Sequence, residues 1–327
     1  MIERMSAPDN ELEFLCSTNI EPLFWTPERL DYSSGWWGHV PFAFWIVTAC
    51  KPRLLLELGT HHGVSYTAFC EAIARSQLDA RCYAVDNWAG DPHAGSYDDQ
   101  VYNDFKAFHD SRYASFSKLL RMTFDEACGG FEDGTIDLLH IDGYHTYEAV
   151  RHDFETWRPK LSERAVVLFH DTNERLDDFG VWRFFGEMRE AFPHFEFLHC
   201  HGLGLAAVGS NAPLAVERLC GLDTAAACRL RDRFAHLGAR WMAAVERREI
   251  GQKLESLEHD LTVARDAHAR VVVERECNLA WAKTLDKELT EALATLDRIT
   301  GQKRELLASN SWRLTAPLRF AKRLIRG

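Results

Sequence analysis

Long hydrophobic runs are missing from this chain of 327 residues. Its most apolar segment, VPFAFWIVTAC at 40–50, falls short of the roughly 20 apolar residues that a helix needs to span a bilayer. The opening, MIERMSAPDNELEF, carries early acids and no apolar h-region, so no secretory signal is expected and the chain is expected in the cytoplasm. Excess positive charge is missing too. With 38 Lys and Arg against 49 Asp and Glu, the net charge is -11, which argues against a general nucleic-acid binder whose phosphate contacts call for a basic face. The nine cysteines include no CxxC pair; they read as reduced thiols that pack as small hydrophobes. Finally, no GxGxxG follows any strand-like run, so the usual dinucleotide turn is absent.

What is present between about 53 and 209 is an alternation of short apolar runs with amphipathic stretches, the pattern of a parallel sheet covered on both faces. The runs are RLLLEL (53–58), RCYAVD (81–86), IDLLHID (136–142), AVVLFHD (165–171), FEFLHC (195–200) and GLAAVG (204–209). Only HGLG separates the last two at its core, so they are expected to form a hairpin. The expected fold class is therefore α/β, a doubly wound sheet followed by a long helical region.

After Asn211 the strand-like runs stop, Pro213 marks a boundary, and a helical pattern continues to about Ser309. From Leu254 one heptad register holds, with Leu254, Leu261, Ala282, Leu289 and Leu296 among the a positions and Leu257, Val271, Leu285, Ile299 and Leu306 among the d positions. Twelve of the sixteen seam positions are apolar, which predicts a coiled coil at about 254–306 and self-association through it. His268, Arg275 and Asn278 sit mid-seam, where polar residues either set register or weaken the coil. The expected domains are 1–212, 213–308 and a basic tail, 309–327, with five Lys and Arg and no acid. That tail either lies on an anionic membrane surface at the inner face or caps a helical bundle.

Three runs at strand ends, with Asp86 from a fourth, carry the chemistry. The first, LELGTHHGVSY, has Glu57-x-Gly59-x-x-x-Gly63, a glycine turn that brings backbone N–H groups close to a ligand at a helix start. The acid suits a cationic ligand, and Asp86, closing the second strand, suits ribose hydroxyls; together they favour S-adenosylmethionine over NAD. The second, LLHIDGYHTYEAVRHDF at 138–154, puts Asp142 and His145 just beyond a strand. The third, VVLFHD, ends in His170 and Asp171, with Asn173 close by. Strand ends of a parallel sheet face one crevice, so these groups are expected to meet there and offer ligands for a divalent cation such as Mg²⁺. His145 would stand beside it as a base for a substrate hydroxyl. Alternatively, Asp142 caps the helix starting near Thr146, and His145 is a surface histidine.

The run ELGTHHGVSY…YAVDNW…DLLHIDGYHTYEAVRHDFETW…VVLFHDTN…FGVWRFF resembles the class I S-adenosylmethionine-dependent methyltransferases. It is most similar to the group with the metal-dependent O-methyltransferases of macrolide sugars, over about residues 36–209. The resemblance implies a seven-stranded sheet with its last strand antiparallel. It implies donor binding by Glu57, Gly59, Thr60, Gly63, Ser65, Asp86, Asn87 and Trp88, metal binding by Asp142, His170 and Asp171, and catalysis by His145 with Asp142. The chain departs from the family at His61, in place of a central glycine, and at His170, in place of a second acid.

The aromatic segments SGWWGHVPFAFW (34–45) and NWAGDPHAGSYDDQVY (87–102) offer Trp36, Trp37, Trp88 and Tyr97 as an acceptor wall that stacks on sugars; for Trp36 and Trp37 the alternative is that they bury the N-terminal helix. The tail run SNSWRLTAPLR (309–319) is similar to an element that follows coiled coils in bacterial glycosyltransferases and methyltransferases of surface-polysaccharide assembly. The expectation is an O-methyltransferase for a glycan hydroxyl, with glycosyltransferases as partners. The alternatives are a catalytically degenerate scaffold and an enzyme for a small hydroxylated metabolite.

Overall fold

The structure is a computed structural model, and it describes residues 11–32, 34–93, 95–176, 178–310, 312 and 315. A first compact unit spans Met1–Ile250. Its centre is a seven-stranded sheet made by β1 (Leu54–Leu58), β2 (Arg81–Asp86), β5 (Ser117–Arg121), β6 (Ile136–Ile141), β7 (Leu161–His170), β8 (His194–Phe197) and β9 (Leu203–Ala207). The remaining strands, β3 (Gly90–Asp91) and β4 (Gly95–Ser96), form a small antiparallel ladder of their own. The order in the large sheet is β5-β2-β1-β6-β7-β9-β8. All its pairings are parallel except those of β9 with β7 and β8. The expected doubly wound sheet with one reversed strand is thus present, and β8 and β9 form the expected hairpin.

Helices cover both faces: α1 (Glu11–Cys16), α2 (Val40–Cys50), α3 (Val64–Arg75), α4 (Asp99–Tyr113), α5 (Phe124–Cys128), α6 (Tyr147–Trp157), α7 (Val181–Ala191) and α8 (Leu214–Cys220), before the long α9 (Thr224–Ala308). The strands β6 and β7 are buried on both sides, which is why they read as unbroken apolar runs. Core residues on one face include Trp45, Phe69, Leu138 and Phe197; on the other they include Leu139, Trp157, Phe169 and Phe184.

The first unit extends past the expected boundary at 212. Val216, Leu219, Leu230, Phe234 and Val245 are buried in the first face of the core, so the helical residues as far as Ile250 belong to this unit. Apolar burial decides the boundary here, not the change from strand to helix.

The second unit, Gly251–Gly327, is helical through Ala308. The heptad residues Leu254, Leu257, Leu261, Val271, Leu285, Leu289, Leu296, Ile299 and Leu306 are all exposed. Most of the basic tail lies outside the described residues. Among the described residues, no helix is long and apolar enough to cross a membrane.

Candidate functional site

Sheet order places the ends of β1, β2, β6 and β7 along one edge, and the chain turns tightly there. Gly59 has φ 86°, and a Cβ added to it would lie 2.0 Å from the Asp142 carbonyl oxygen. Only glycine combines that backbone with that approach. Gly63, also left-handed at φ 75°, caps α3 and is covered by the Phe105 ring. Asp86 then ties the two turns together. Its Oδ2 accepts the N–H groups of Thr60 (2.8 Å) and His61 (2.9 Å), and its Oδ1 accepts that of Trp88 (2.7 Å).

The result is a cavity of about 320 Å³ whose wall includes Gly59, Thr60, Ser65, Asp86 and Asn87, within the size range of small-molecule sites. Three residues of the expected donor set do not line it. The Glu57 side chain is fully buried behind the wall, with Oε2 2.8 Å from His140 Nδ1. Burial raises its carboxyl above the usual range, opposed by the His140 and Ser65 hydrogen bonds. Gly63 shapes the turn from outside. Trp88 is buried and donates its indole N–H to the His61 carbonyl, so its role is packing.

The acid and imidazole cluster forms the next part of the edge. Asp142 does not cap α6: Thr146 does, accepting the N–H of Ala149 at 3.2 Å. Asp142 is therefore left to the crevice, where Asp142, His170 and Asp171 each bring one ligand atom and all these atoms lie within 4.8 Å of one another. His170 Nδ1 lies 3.3 Å from both Asp142 Oδ1 and Asp171 Oδ2. His145 Nε2 lies 3.0 Å from Asp171 Oδ2 and 3.7 Å from Asp142 Oδ1. Asp171 holds a left-handed backbone, φ 59°, a conformation costing a non-glycine residue about 1–2 kcal/mol.

The charges are mutually sustaining. Burial would push the Asp142 carboxyl up, but the His170 and His145 imidazoles more than offset this and hold it well below its usual range. Burial would likewise lower His145, but Asp142 and Asp171 raise it to about 9. His170 is raised well above its ordinary value against the same burial, by the same two acids.

This donor set fits a divalent cation. Two converging carboxylates and an imidazole suit a borderline metal better than an all-oxygen site would. The ligand atom that His170 would bring is Nδ1, which lies 3.3 Å from a carboxylate oxygen of each acid.

Of the four expected wall aromatics, Trp36 and Tyr97 line the cavity. Trp36 works behind the acids: its indole N–H donates to Asp142 Oδ2 at 3.0 Å and its ring stacks on His170. Tyr97 stacks on His61, with ring centres 4.4 Å apart. Trp37 is buried and donates to the Tyr32 carbonyl, and neither it nor Trp88 lines the cavity.

Sequence reasoning missed Thr123 and Phe124, which wall the cavity beyond β5. Their signal was the capping box TFDE: Thr123 Oγ1 accepts the Glu126 N–H, and the Glu126 carboxylate accepts the Thr123 N–H. It missed Gly143 and Tyr144 as well, although they lie within the run that drew attention to Asp142.

The sheet is doubly wound and seven-stranded, with a single reversed strand. Residues 56–172 match the family model described as "Methyltransferase domain". A protein of Sinorhizobium fredii, y4gI, described as uncharacterized, is 48% identical over 194 residues. That alignment covers 58% of this chain and 21% of y4gI, so the chain spans about a fifth of that relative's length. Among solved structures, the O-methyltransferase TomG of Streptomyces achromogenes, in complex with SAM, is similar at TM-score 0.41 and 14% identity, over 56% of this chain and 83% of TomG. Cofactor-bound Rv0187 from MTB is similar at TM-score 0.41 and 16% identity, over 62% of this chain and 88% of that one.

Proposed function

We propose that this chain is an S-adenosylmethionine-dependent O-methyltransferase whose acceptor is a sugar hydroxyl of a cell-surface polysaccharide or its precursor, with a divalent cation assisting. The observation that carries the reading is the convergence of Asp142, His170, Asp171 and His145 beside a cavity built on the Gly59 turn. The glycan half rests on the likeness of the tail run 309–319, most of which lies outside the described residues.

When bound, S-adenosylmethionine supplies an electrophilic methyl on a sulfonium. A cation held by Asp142, His170 and Asp171 would polarise the acceptor oxygen and withdraw the carboxylate charge that keeps His145 protonated. The chain's own residues do the rest. The backbone at Gly59 and Thr60 and the Asp86 carboxylate hold the donor pocket open in one shape. His145 Nε2 faces the two acids and is placed to take the hydroxyl proton as the oxygen gains the methyl. Trp36 keeps Asp142 oriented.

The exposed seam of the second unit is assigned to a second copy of the same chain in parallel. In that register, position g faces e five residues on in the partner, pairing Lys253 with Glu258 and Asp260 with Arg265. Both pairs are of opposite charge.

The test uses purified full-length chain and S-adenosylhomocysteine. Calorimetric binding is expected for the wild type and for Asp142→Asn, while methyl transfer to extracted surface polysaccharide falls by about 10²–10⁴-fold in Asp142→Asn and His145→Ala. Absence of binding by the wild type would overturn the enzyme reading in favour of a scaffold.

A further inference from the structure

His145 is held by more than the two acids. Its Nδ1, the nitrogen facing away from them, lies 3.3 Å from Nδ1 of His93, and His93 Nε2 lies 2.6 Å from Asp178 Oδ1. Neither His93 nor Asp178 belongs to the expected site. They come from separate segments, His93 from the turn between β3 and β4 and Asp178 from the segment before α7.

Phe179 ties the two histidines into one stack. Its ring is 4.4 Å from that of His93, at 14°, and 4.9 Å from that of His145, at 4°. The segment is fastened at the backbone as well: Phe179 bridges Thr146, and the Gly180 N–H donates to the His145 carbonyl at 2.8 Å. A side chain on Gly180 would meet the Tyr147 backbone at 2.3 Å, so this approach requires glycine.

The hydrogen-bond roles follow from chemistry. A carboxylate can only accept, so His93 Nε2 must carry the proton it shares with Asp178. In neutral His93 the Nδ1 is then a bare lone pair and can only accept, so His145 Nδ1 must be the donor. We propose that His93 and Asp178 are positioning residues for His145: the Asp178–His93 pair takes the Nδ1–H of His145 and so keeps its Nε2 turned to the acids and the reacting oxygen. This is the general way in which the partner of one ring nitrogen decides what the other can do. The inference rests on the reading of His145 as the base.

The test is ring-nitrogen NMR on the full chain labelled with ¹⁵N-histidine, with His93 and His145 signals assigned by their loss in His93→Ala and His145→Gln. The expected result is a proton on Nε2 and a bare Nδ1 in wild-type His93. In Asp178→Ala the other His93 tautomer should appear. The His145 ring signals should shift in His93→Ala and shift less in His93→Asn, whose amide oxygen can still accept. A proton on Nδ1 of wild-type His93, or His145 signals unmoved in His93→Ala, would overturn the proposal. Asp178 is 62% exposed, so Asp178→Ala supplies the test should His93→Ala fail to fold. Calorimetry with S-adenosylhomocysteine separates the two ideas. Wild type that fails to bind it removes the methyltransferase reading, while the ring signature still decides the positioning claim.

Discussion

Gly59 and Asp153 show how single residues carry the account. Gly59→Ala would force a left-handed alanine into the Asp142 carbonyl, 2.0 Å from its Cβ. We expect a stability loss of at least about 2 kcal/mol by urea denaturation and a donor affinity lowered at least tenfold; wild-type stability and affinity together would contradict the turn's assigned role. Asp153 is buried in α6, and burial raises its carboxyl to about 7. A raised acid favours folding fully only below its unfolded value of about 4, and that contribution is lost as pH rises through 7. Asp153→Asn should therefore gain up to about 4 kcal/mol over wild type at pH 8 and little near pH 4. An equal difference at both pH values would show that the carboxyl is not perturbed by burial. Asp142, His145, His170 and Asp171 were legible because each follows a strand end, a place the parallel fold makes functional. His93 and Asp178 were not, because they meet His145 only through turns whose path no periodicity records.

At the scale of elements, strands buried on both faces were the readable ones. The run RCYAVD coincides with β2, and the hairpin was visible in the short HGLG link. The strand β5, SKLLR, was not visible: only Ser117 is buried along it, and the exposed Lys118 and Arg121 leave it no apolar run. The helical residues 214–250 were assigned to a separate region because helix replaced strand, yet their buried Leu230, Phe234 and Val245 join the core of the first unit. The heptad residues of α9 beyond 250 make a different prediction. Replacing Leu289 and Leu296 by Asp puts charge into two successive a positions, which should convert the assembled chain to monomer in sedimentation velocity. Donor binding should be unchanged, since the cavity lies in the first unit. A wild-type chain already monomeric at micromolar concentration would contradict self-association through the seam.

At the scale of the whole molecule, the proposal of methyl transfer by a self-associating enzyme rests on a cavity of small-molecule size, an acid and imidazole cluster at its edge, and an apolar seam that is exposed among the described residues. The acceptor was the least legible part, because the residues facing it belong to loops and the tail that points to glycans lies mostly outside the described residues. The most direct measurement is linkage analysis of surface polysaccharide from cells with and without this gene. The account predicts that one O-methyl sugar disappears, returns with the wild-type gene and does not return with Asp142→Asn. If every O-methyl group persists without the gene, the assignment of a glycan acceptor is contradicted.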